Sequence, residues 1–519
     1  MNVTRAAHLV EALTAAGVAD WCVCPGGRNS PLVVVLDAAR GITTHYGFEE
    51  RSTAFFALGR ARAARRPVAV VTTSGTAAAE LLPAAVEAHY AGAPLILVTA
   101  DRPPRYRGTG APQAIEQPGL FGAYAPTVYD GRDDADVVDL SDWCGDHPVH
   151  VNVCFDEPLV DGPIPTLVLD PGGFPRHARV PDTTPLASLL ASARSLLAIV
   201  GPLDRADRAA VREWLVELGA PVYLEPASGL REDPALAELA FRSGERALDA
   251  VRPDAVLRVG GVPTVRFWRD LETRLVDIPV CTVSPLPFPG LTRGAVVHGP
   301  PARAFRDLQI RRPERWGGTE WLERDRARAQ WLEALLREEP ASEPSLIRAV
   351  SAHVPAGALV YLGNSLPIRE WDLAAARQPR DWDVAGNRGA NGIDGQLSTF
   401  FGMCAQGREH WAIVGDLTTL YDLSAPWLLR GATTGPIRIV IVNNGGGQIF
   451  ARLSPHGVLR NPHAVTFADW ARLWGLAYHH WTGVPGTTPR DDRCVIELAP
   501  EPDATERFWR AYDAMDPAP

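Results

Sequence analysis

Along the chain, stretches with apolar residues at helical spacing alternate with short, continuously apolar runs. Residues 4–17 carry a helical period, and residues 20–24 form an apolar run ending in Pro25-Gly26-Gly27. Similar runs at 67–71 and 94–99 enclose a helical stretch at 77–90. Unbroken apolar runs joined by helices are what a parallel sheet covered on both faces requires. The chain then turns rich in Pro and Gly over 170–185, beginning Asp170-Pro171-Gly172-Gly173-Phe174, which reads as a linker. A second series of strands is predicted at 197–200, 222–224, 255–259 and 280–283, followed by a charged helical region at 312–338. A third series falls at 359–362, 411–414 and 437–442. The predicted fold class is α/β, with three doubly wound parallel-sheet domains at 1–175, 185–335 and 342–519.

Composition narrows the chemistry. The chain has 519 residues, enough for about three domains, and its 46% hydrophobic and 22% charged content is that of a folded globular protein. All 51 basic residues are arginine, so mechanisms that need a lysine amine, including Schiff bases and the Walker A loop, are excluded. The net charge of −10 and the lack of a basic stripe argue against a nucleic-acid partner. The arginines over 60–66 read as the solvated end of a helix. Seven scattered cysteines argue against a disulfide framework and for a reducing, cytoplasmic setting; Cys22 and Cys24 are expected as core thiols. No signal peptide is predicted, and no run reaches the ~18 apolar residues of a spanning helix, so no membrane insertion is expected.

The sharpest local signal is Gly415-Asp416-Leu417 after one apolar strand and Asn443-Asn444-Gly445 after the next. The intervening chain is long enough for a helix and a return strand, which brings Asp416 and Asn443 to the carboxyl ends of parallel strands, where open α/β sheets bind ligands. A carboxylate and an amide oxygen suit a hard divalent cation able to bridge to a diphosphate, and glycines let backbone approach phosphate.

This pairing resembles the diphosphate-binding motif of thiamine diphosphate (ThDP) enzymes. The resemblance narrows further through Pro25-Gly26-Gly27-Arg28-Asn29-Ser30-Pro31-Leu32, Phe48-Glu49-Glu50-Arg51, Thr73-Ser74-Gly75-Thr76-Ala77, Ala100-Asp101-Arg102-Pro103-Pro104, Gly363-Asn364-Ser365-Leu366, Asn387-Arg388-Gly389-Ala390-Asn391-Gly392-Ile393-Asp394-Gly395 and the stretch 443–450. In this order they are similar to the SEPHCHC synthase family (2-succinyl-5-enolpyruvyl-6-hydroxy-3-cyclohexene-1-carboxylate synthases of menaquinone biosynthesis). The resemblance implies a pyrimidine-binding first domain, a middle domain and a diphosphate-binding third domain. It implies loss of CO₂ from 2-oxoglutarate and 1,4-addition of the resulting succinyl semialdehyde carbanion to isochorismate. ThDP with Mg²⁺ or Mn²⁺ would be the cofactors, and a homodimer or homotetramer would carry active sites between chains.

By the same resemblance Glu50 is the acid that activates the cofactor's aminopyrimidine ring. Asp416, Asn443 and the Gly445 carbonyl would hold the metal, Gly415, Leu417 and Thr418 would line the diphosphate, and Ile393 would prop the cofactor. Both substrates are dicarboxylates, which suits arginine's planar fork. Arg28, Arg102, Arg266, Arg369 and Arg388 are the matching arginines, with Gln113 and Ser365 as neutral partners and Ile449, Phe450 and Leu453 as an apolar wall. Two positions depart from the family pattern: Gly27 replaces a serine, and Val265 stands where some members have a second basic residue. Two other readings compete, namely another ThDP-dependent 2-oxo acid decarboxylase or acetolactate-type carboligase, and a non-catalytic scaffold. The joint presence of Glu50, Asp416 and Asn443 argues against the scaffold.

Overall fold

A computed structural model describes residues 1–132, 136–174, 180–306, 308, 316–430, 434–454, 456–484 and 486–515. Residues 175–179 of the linker and domain limit, 312–315 of the charged stretch and 516–519 of the third domain therefore lie outside the described residues. The described strands form three all-parallel sheets.

The first sheet contains β1 (Asp20–Val23), β2 (Thr43–Tyr46), β3 (Val68–Thr72), β4 (Leu95–Asp101), β5 (Thr127–Gly131) and β6 (Val149–Cys154), in the order β2-β1-β3-β4-β6-β5. The second contains β7 (Leu196–Val200), β8 (Val222–Leu224), β9 (Ala255–Val259), β10 (Val280–Ser284) and β11 (Ala295–His298), ordered β11-β10-β9-β7-β8. The third contains β12 (Leu359–Leu362), β13 (Asp383–Ala385), β14 (His410–Gly415), β15 (Ile437–Val442), β16 (Ala477–Trp481) and β17 (Arg493–Leu498), ordered β13-β12-β14-β15-β17-β16. The first and third sheets thus share one winding. In both, the central strands are buried on both faces, which is why they read as unbroken apolar runs.

The chain groups into two compact units. One comprises Met1–His177, Gly389–Cys404 and Leu420–Thr433; the other comprises Ala178–Arg388, Ala405–Thr419 and Thr434–Pro519. The first unit holds the first sheet together with two segments from late in the chain. Its tightest packing is between the helices Glu50–Ala64 and Gln396–Met403, where glycines permit close approach. A Cβ on Gly59 would lie 2.1 Å from the Thr399 carbonyl oxygen, and one on Gly402 would lie 2.1 Å from that of Phe56. The second unit holds the second and third sheets.

Some local expectations need correction. The helix expected at 77–90 is broken into Thr76–Ala79 and Leu82–Ala91, because Pro83 lacks the N–H that a continuous helix would use and instead opens the second piece. The charged helix begins, within the described residues, at Thr319. The arginines at 60–66 are not simply solvated: Arg60 reaches Asp20 at 2.9 Å, and Arg66 donates to the Gly17 carbonyl. Cys22 and Cys24 are buried, and burial pushes the Cys24 thiol up to about 12. No helix among the described residues is long and apolar enough to cross a membrane.

Candidate active site

In the first unit the carboxyl ends of neighbouring strands carry four of the sequence motifs. Read across β2-β1-β3-β4, these are Glu49-Glu50, Gly26 to Asn29, Thr73 to Gly75 and Arg102. The Asn29 amide shapes the turn after β1 by accepting from Gly26 N at 2.8 Å and donating to the Cys24 carbonyl at 2.9 Å. Arg28 is buried, with its guanidinium donating to the Phe155 carbonyl at 3.0 Å and to Glu157 at 3.3 Å. Its neighbour Gly27 is open: a Cβ there would meet nothing within 4 Å, so the missing serine of the family pattern is not excluded by crowding. Arg102 donates through Nε to the Pro112 carbonyl at 2.8 Å, and this brings the Gln113 segment beside it. Gln113 has φ of +55° and packs its Cα against Gly75, whose amide is held by Gln117 at 3.0 Å.

The paired acids Glu49 and Glu50 have different jobs. Glu49 caps the helix Glu50–Ala64, accepting from the amides of Arg51 at 3.0 Å and Ser52 at 3.1 Å, and it also takes the Ser424 hydroxyl at 3.1 Å. Glu50 is half-buried at the first helical position, and among the described residues no side chain bonds its carboxyl. Burial raises its pKa, its own amide opposes the shift, and the charges of Glu49 and Glu80 add to it. Ile393, in the same unit, is half-buried in the loop before the helix Gln396–Met403. Glu87, buried to 3% exposure, holds that loop by accepting from Gly389 N at 2.8 Å and Ala390 N at 2.7 Å.

In the second unit, β14 and β15 are adjacent and parallel, with Gly415 in register with Val442. Asp416 and Asn443 therefore leave the sheet side by side. Asp416 is 2% exposed; its oxygens accept from Leu417 N at 2.6 Å and Gly446 N at 2.9 Å, and His463 Nε2 stands 3.3 Å away. Burial raises the Asp416 pKa although these donors oppose the rise. Asn443 donates through Nδ2 to the Val465 carbonyl at 2.8 Å and to Glu497 at 2.7 Å. Gly445, at φ +76°, takes a conformation suited to glycine, and its carbonyl accepts from His463 N at 3.2 Å, leaving a second lone pair. Thr418 is buried and Leu417 half-buried just beyond.

The donor set of these residues would suit a divalent cation beside a diphosphate. Their donors are all oxygens, as Mg²⁺ or Mn²⁺ prefers: a carboxylate, an amide Oδ1 whose partner nitrogen is already spoken for, and a main-chain carbonyl. A Cβ on Gly415 would meet nothing within 4 Å, so the strand end offers room beside the backbone. The segment from His463 to Val465, which braces Asp416, Gly445 and Asn443 together, carries no signal in the sequence.

A cavity of 680 Å³ in the second unit gathers Arg266, Arg369, Ile449 and Leu453. Arg369 donates to the Ser365 carbonyl at 2.6 Å, and its buried Nε meets no acceptor among the described residues. Burial lowers its pKa, opposed by the charge of Glu245. Arg266 is fixed through its amide, which donates to Glu245 at 3.1 Å. Glu225 also lines the cavity, accepting from Val265 N at 2.8 Å; burial pushes its carboxyl up to about 7 against the pull of Arg388. The cavity does not take in every expected residue. Arg388 is held by Asn364 Oδ1 at 2.8 Å, Ser365 sits at φ +72° ahead of the helix Leu366–Ala374, and Phe450 is 42% exposed; none of the three lines this cavity.

The chain resembles known proteins along its whole length. Residues 3–120 match the family described as "Thiamine pyrophosphate enzyme, N-terminal TPP binding domain". Over 526 residues, covering 99% of both chains, it is 41% identical to the 2-succinyl-5-enolpyruvyl-6-hydroxy-3-cyclohexene-1-carboxylate synthase of Bdellovibrio bacteriovorus. It is 40% identical to the enzyme of the same name from Akkermansia muciniphila, with 95% of each chain covered. Among solved structures, a thiamine diphosphate-dependent 4-hydroxybenzoylformate decarboxylase from Rhodococcus jostii RHA1 superposes with a TM-score of 0.69 over 96% of this chain and 99% of that one. At 15% identity that likeness concerns the fold alone.

Proposed function

The chain belongs to the 2-succinyl-5-enolpyruvyl-6-hydroxy-3-cyclohexene-1-carboxylate synthase family, and from that premise we propose how its residues divide the work. The protein is a ThDP-dependent transferase of menaquinone biosynthesis that decarboxylates 2-oxoglutarate and adds the remaining four-carbon unit to isochorismate in a 1,4-addition. The observation that carries the residue assignment is the side-by-side exit of Asp416 and Asn443 from paired parallel strands, with open backbone at Gly415.

In this reading Asp416, Asn443 Oδ1 and the Gly445 carbonyl would hold Mg²⁺ or Mn²⁺, and Gly415, Leu417 and Thr418 would line the diphosphate. Bound ThDP supplies the electron sink for decarboxylation and the nucleophilic carbon for addition. Glu50 would hydrogen-bond the cofactor's pyrimidine ring, and Ile393 would pack against the cofactor. Arg28, Arg102, Arg266, Arg369 and Arg388 pair with substrate carboxylates, helped by Gln113 and Ser365. Arg369 brings a donor not spent on the protein. Ile449, Phe450 and Leu453 face the acceptor's ring, which keeps water from the reacting carbon. The three domains take the limits 1–175, 185–335 and 342–519. The assembly is a homodimer or homotetramer with sites between chains, and seven cysteines outside any disulfide support a cytoplasmic setting.

Product analysis tests the reading. With ThDP, Mg²⁺ and both substrates, the expected product has the mass of the joined acid, and it disappears in Asp416→Ala. Free succinic semialdehyde as the sole product, with isochorismate unconsumed, would instead support a plain decarboxylase.

A further inference from the structure

Asn443 is the first residue past β15, and the register of that strand with β17 sets Ile441 opposite Glu497 and Val442 opposite Leu498. Glu497 is 1% exposed in a strand otherwise apolar from Cys494 to Leu498, so its carboxylate is costly to bury unless donors surround it. One oxygen accepts from Phe467 N and from the Tyr478 hydroxyl, both at 2.8 Å, and the other accepts from Asn443 Nδ2 at 2.7 Å. The second hydrogen of the same Nδ2 goes to the Val465 carbonyl at 2.8 Å.

We infer that Glu497 is a positioning residue for the metal site, fixing the Asn443 carboxamide so that Oδ1 and not Nδ2 is the atom left for a cation. The chemistry of the partners decides the orientation. Both Glu497 oxygens already face donors, and the Val465 carbonyl can only accept, so turning the amide over would set Oδ1 against two acceptor oxygens and leave two N–H groups unpaired. A hard cation needs the oxygen, and an inward amide nitrogen would repel it. Glutamine at 497 would hold the amide less firmly. Its NH₂ end would face either Asn443 Nδ2 or the Phe467 and Tyr478 donors, and the first arrangement drives the amide to turn.

This inference rests on the metal-site reading above, and its test separates the two. Mn²⁺ is titrated into the full-length chain with ThDP, free Mn²⁺ is followed by electron paramagnetic resonance, and the melting temperature is recorded without metal. Glu497→Gln is expected to weaken Mn²⁺ binding about ten- to hundredfold. Tyr478→Phe, which removes a donor from the other oxygen, should lower the metal-free melting temperature comparably yet leave Mn²⁺ affinity little changed. Wild-type affinity in Glu497→Gln beside strongly weakened binding in Asp416→Ala overturns the inference alone. Undiminished binding in Asp416→Ala overturns the metal site and the inference with it. Should Glu497→Gln fail to fold, a crystal structure of the wild-type Mn²⁺ and ThDP complex decides. Asn443 Oδ1 on the metal with Nδ2 bonded to Glu497 supports the role; Nδ2 turned away from Glu497 refutes it.

Discussion

Gly415 separates what the fold requires from what a cofactor requires. It ends β14 with a backbone outside the left-handed region, and a Cβ there would touch nothing within 4 Å. Gly415→Ala should therefore cost the empty protein nothing. Restricting the unfolded chain would stabilise it by about 0.4–1 kcal/mol, a rise in Tm of no more than about 4 °C. If the diphosphate lies against this backbone, the same methyl group occupies its place, and ThDP affinity should fall at least about tenfold, or about 1.4 kcal/mol. Gly446→Ala provides the contrast. At φ +134°, with a Cβ that would fall 2.4 Å from the Arg460 carbonyl oxygen, it should destabilise the empty protein by about 2 kcal/mol or more. The assay pairs cofactor-free thermal melting with ThDP titration followed by tryptophan fluorescence. Wild-type ThDP affinity in Gly415→Ala, or a loss of Tm as large as that of Gly446→Ala, would refute the reasoning.

Other outcomes follow from the same geometry. Glu50→Gln removes a carboxyl that bonds no other side chain among the described residues, so melting and ThDP affinity should stay near wild type while turnover falls about a hundredfold or more; steady-state kinetics with a cofactor titration checks both. Glu225, with its carboxyl pushed up to about 7, sheds its charge below that pH and leaves Glu245 as the acid opposing Arg369; above it, the Glu225 charge competes with a substrate carboxylate. The dicarboxylate KM should therefore rise about three- to tenfold from about pH 6 to about pH 8 and become flat in Glu225→Gln. Gly27→Ser should fold normally, because its Cβ position is open, and should lower the isochorismate KM by up to about tenfold while leaving that for 2-oxoglutarate unchanged.

What the sequence reveals depends on how local the cause is. The turns after β1, β3, β4, β12, β14 and β15 are legible because a parallel sheet delivers its loops to one edge, and apolar strands followed by Gly, Asn or Asp mark that edge. β6 escapes the same reading. Val149-His150-Val151-Asn152-Val153-Cys154 alternates like a half-exposed strand but is wholly buried. Its polar residues are absorbed by a network in which Thr99 meets His150 at 2.7 Å and Asn152 at 2.8 Å, while Gln117 donates to Asn152 at 2.9 Å. Burial brings the His150 pKa down to about 4, so it contributes no charge to that interior. The edge strand β2 is missed because Thr43 to Tyr46 is only partly covered. Within the site, the metal-binding candidates are visible as a motif, but their supports are not. His463, Val465 and Glu497 reach Asp416 and Asn443 from distant segments, and nothing in their own neighbourhoods marks them. Likewise Glu49 and Glu50 are equivalent as letters, and only the helix start tells the cap from the free acid.

The most direct test of the account is the yield of CO₂ from 2-oxoglutarate by purified protein with ThDP and Mg²⁺, measured with and without isochorismate alongside the mass of the product. Sustained release that depends on isochorismate, one CO₂ for each joined product, is the predicted result. Sustained release without isochorismate, accumulating free aldehyde, would contradict it.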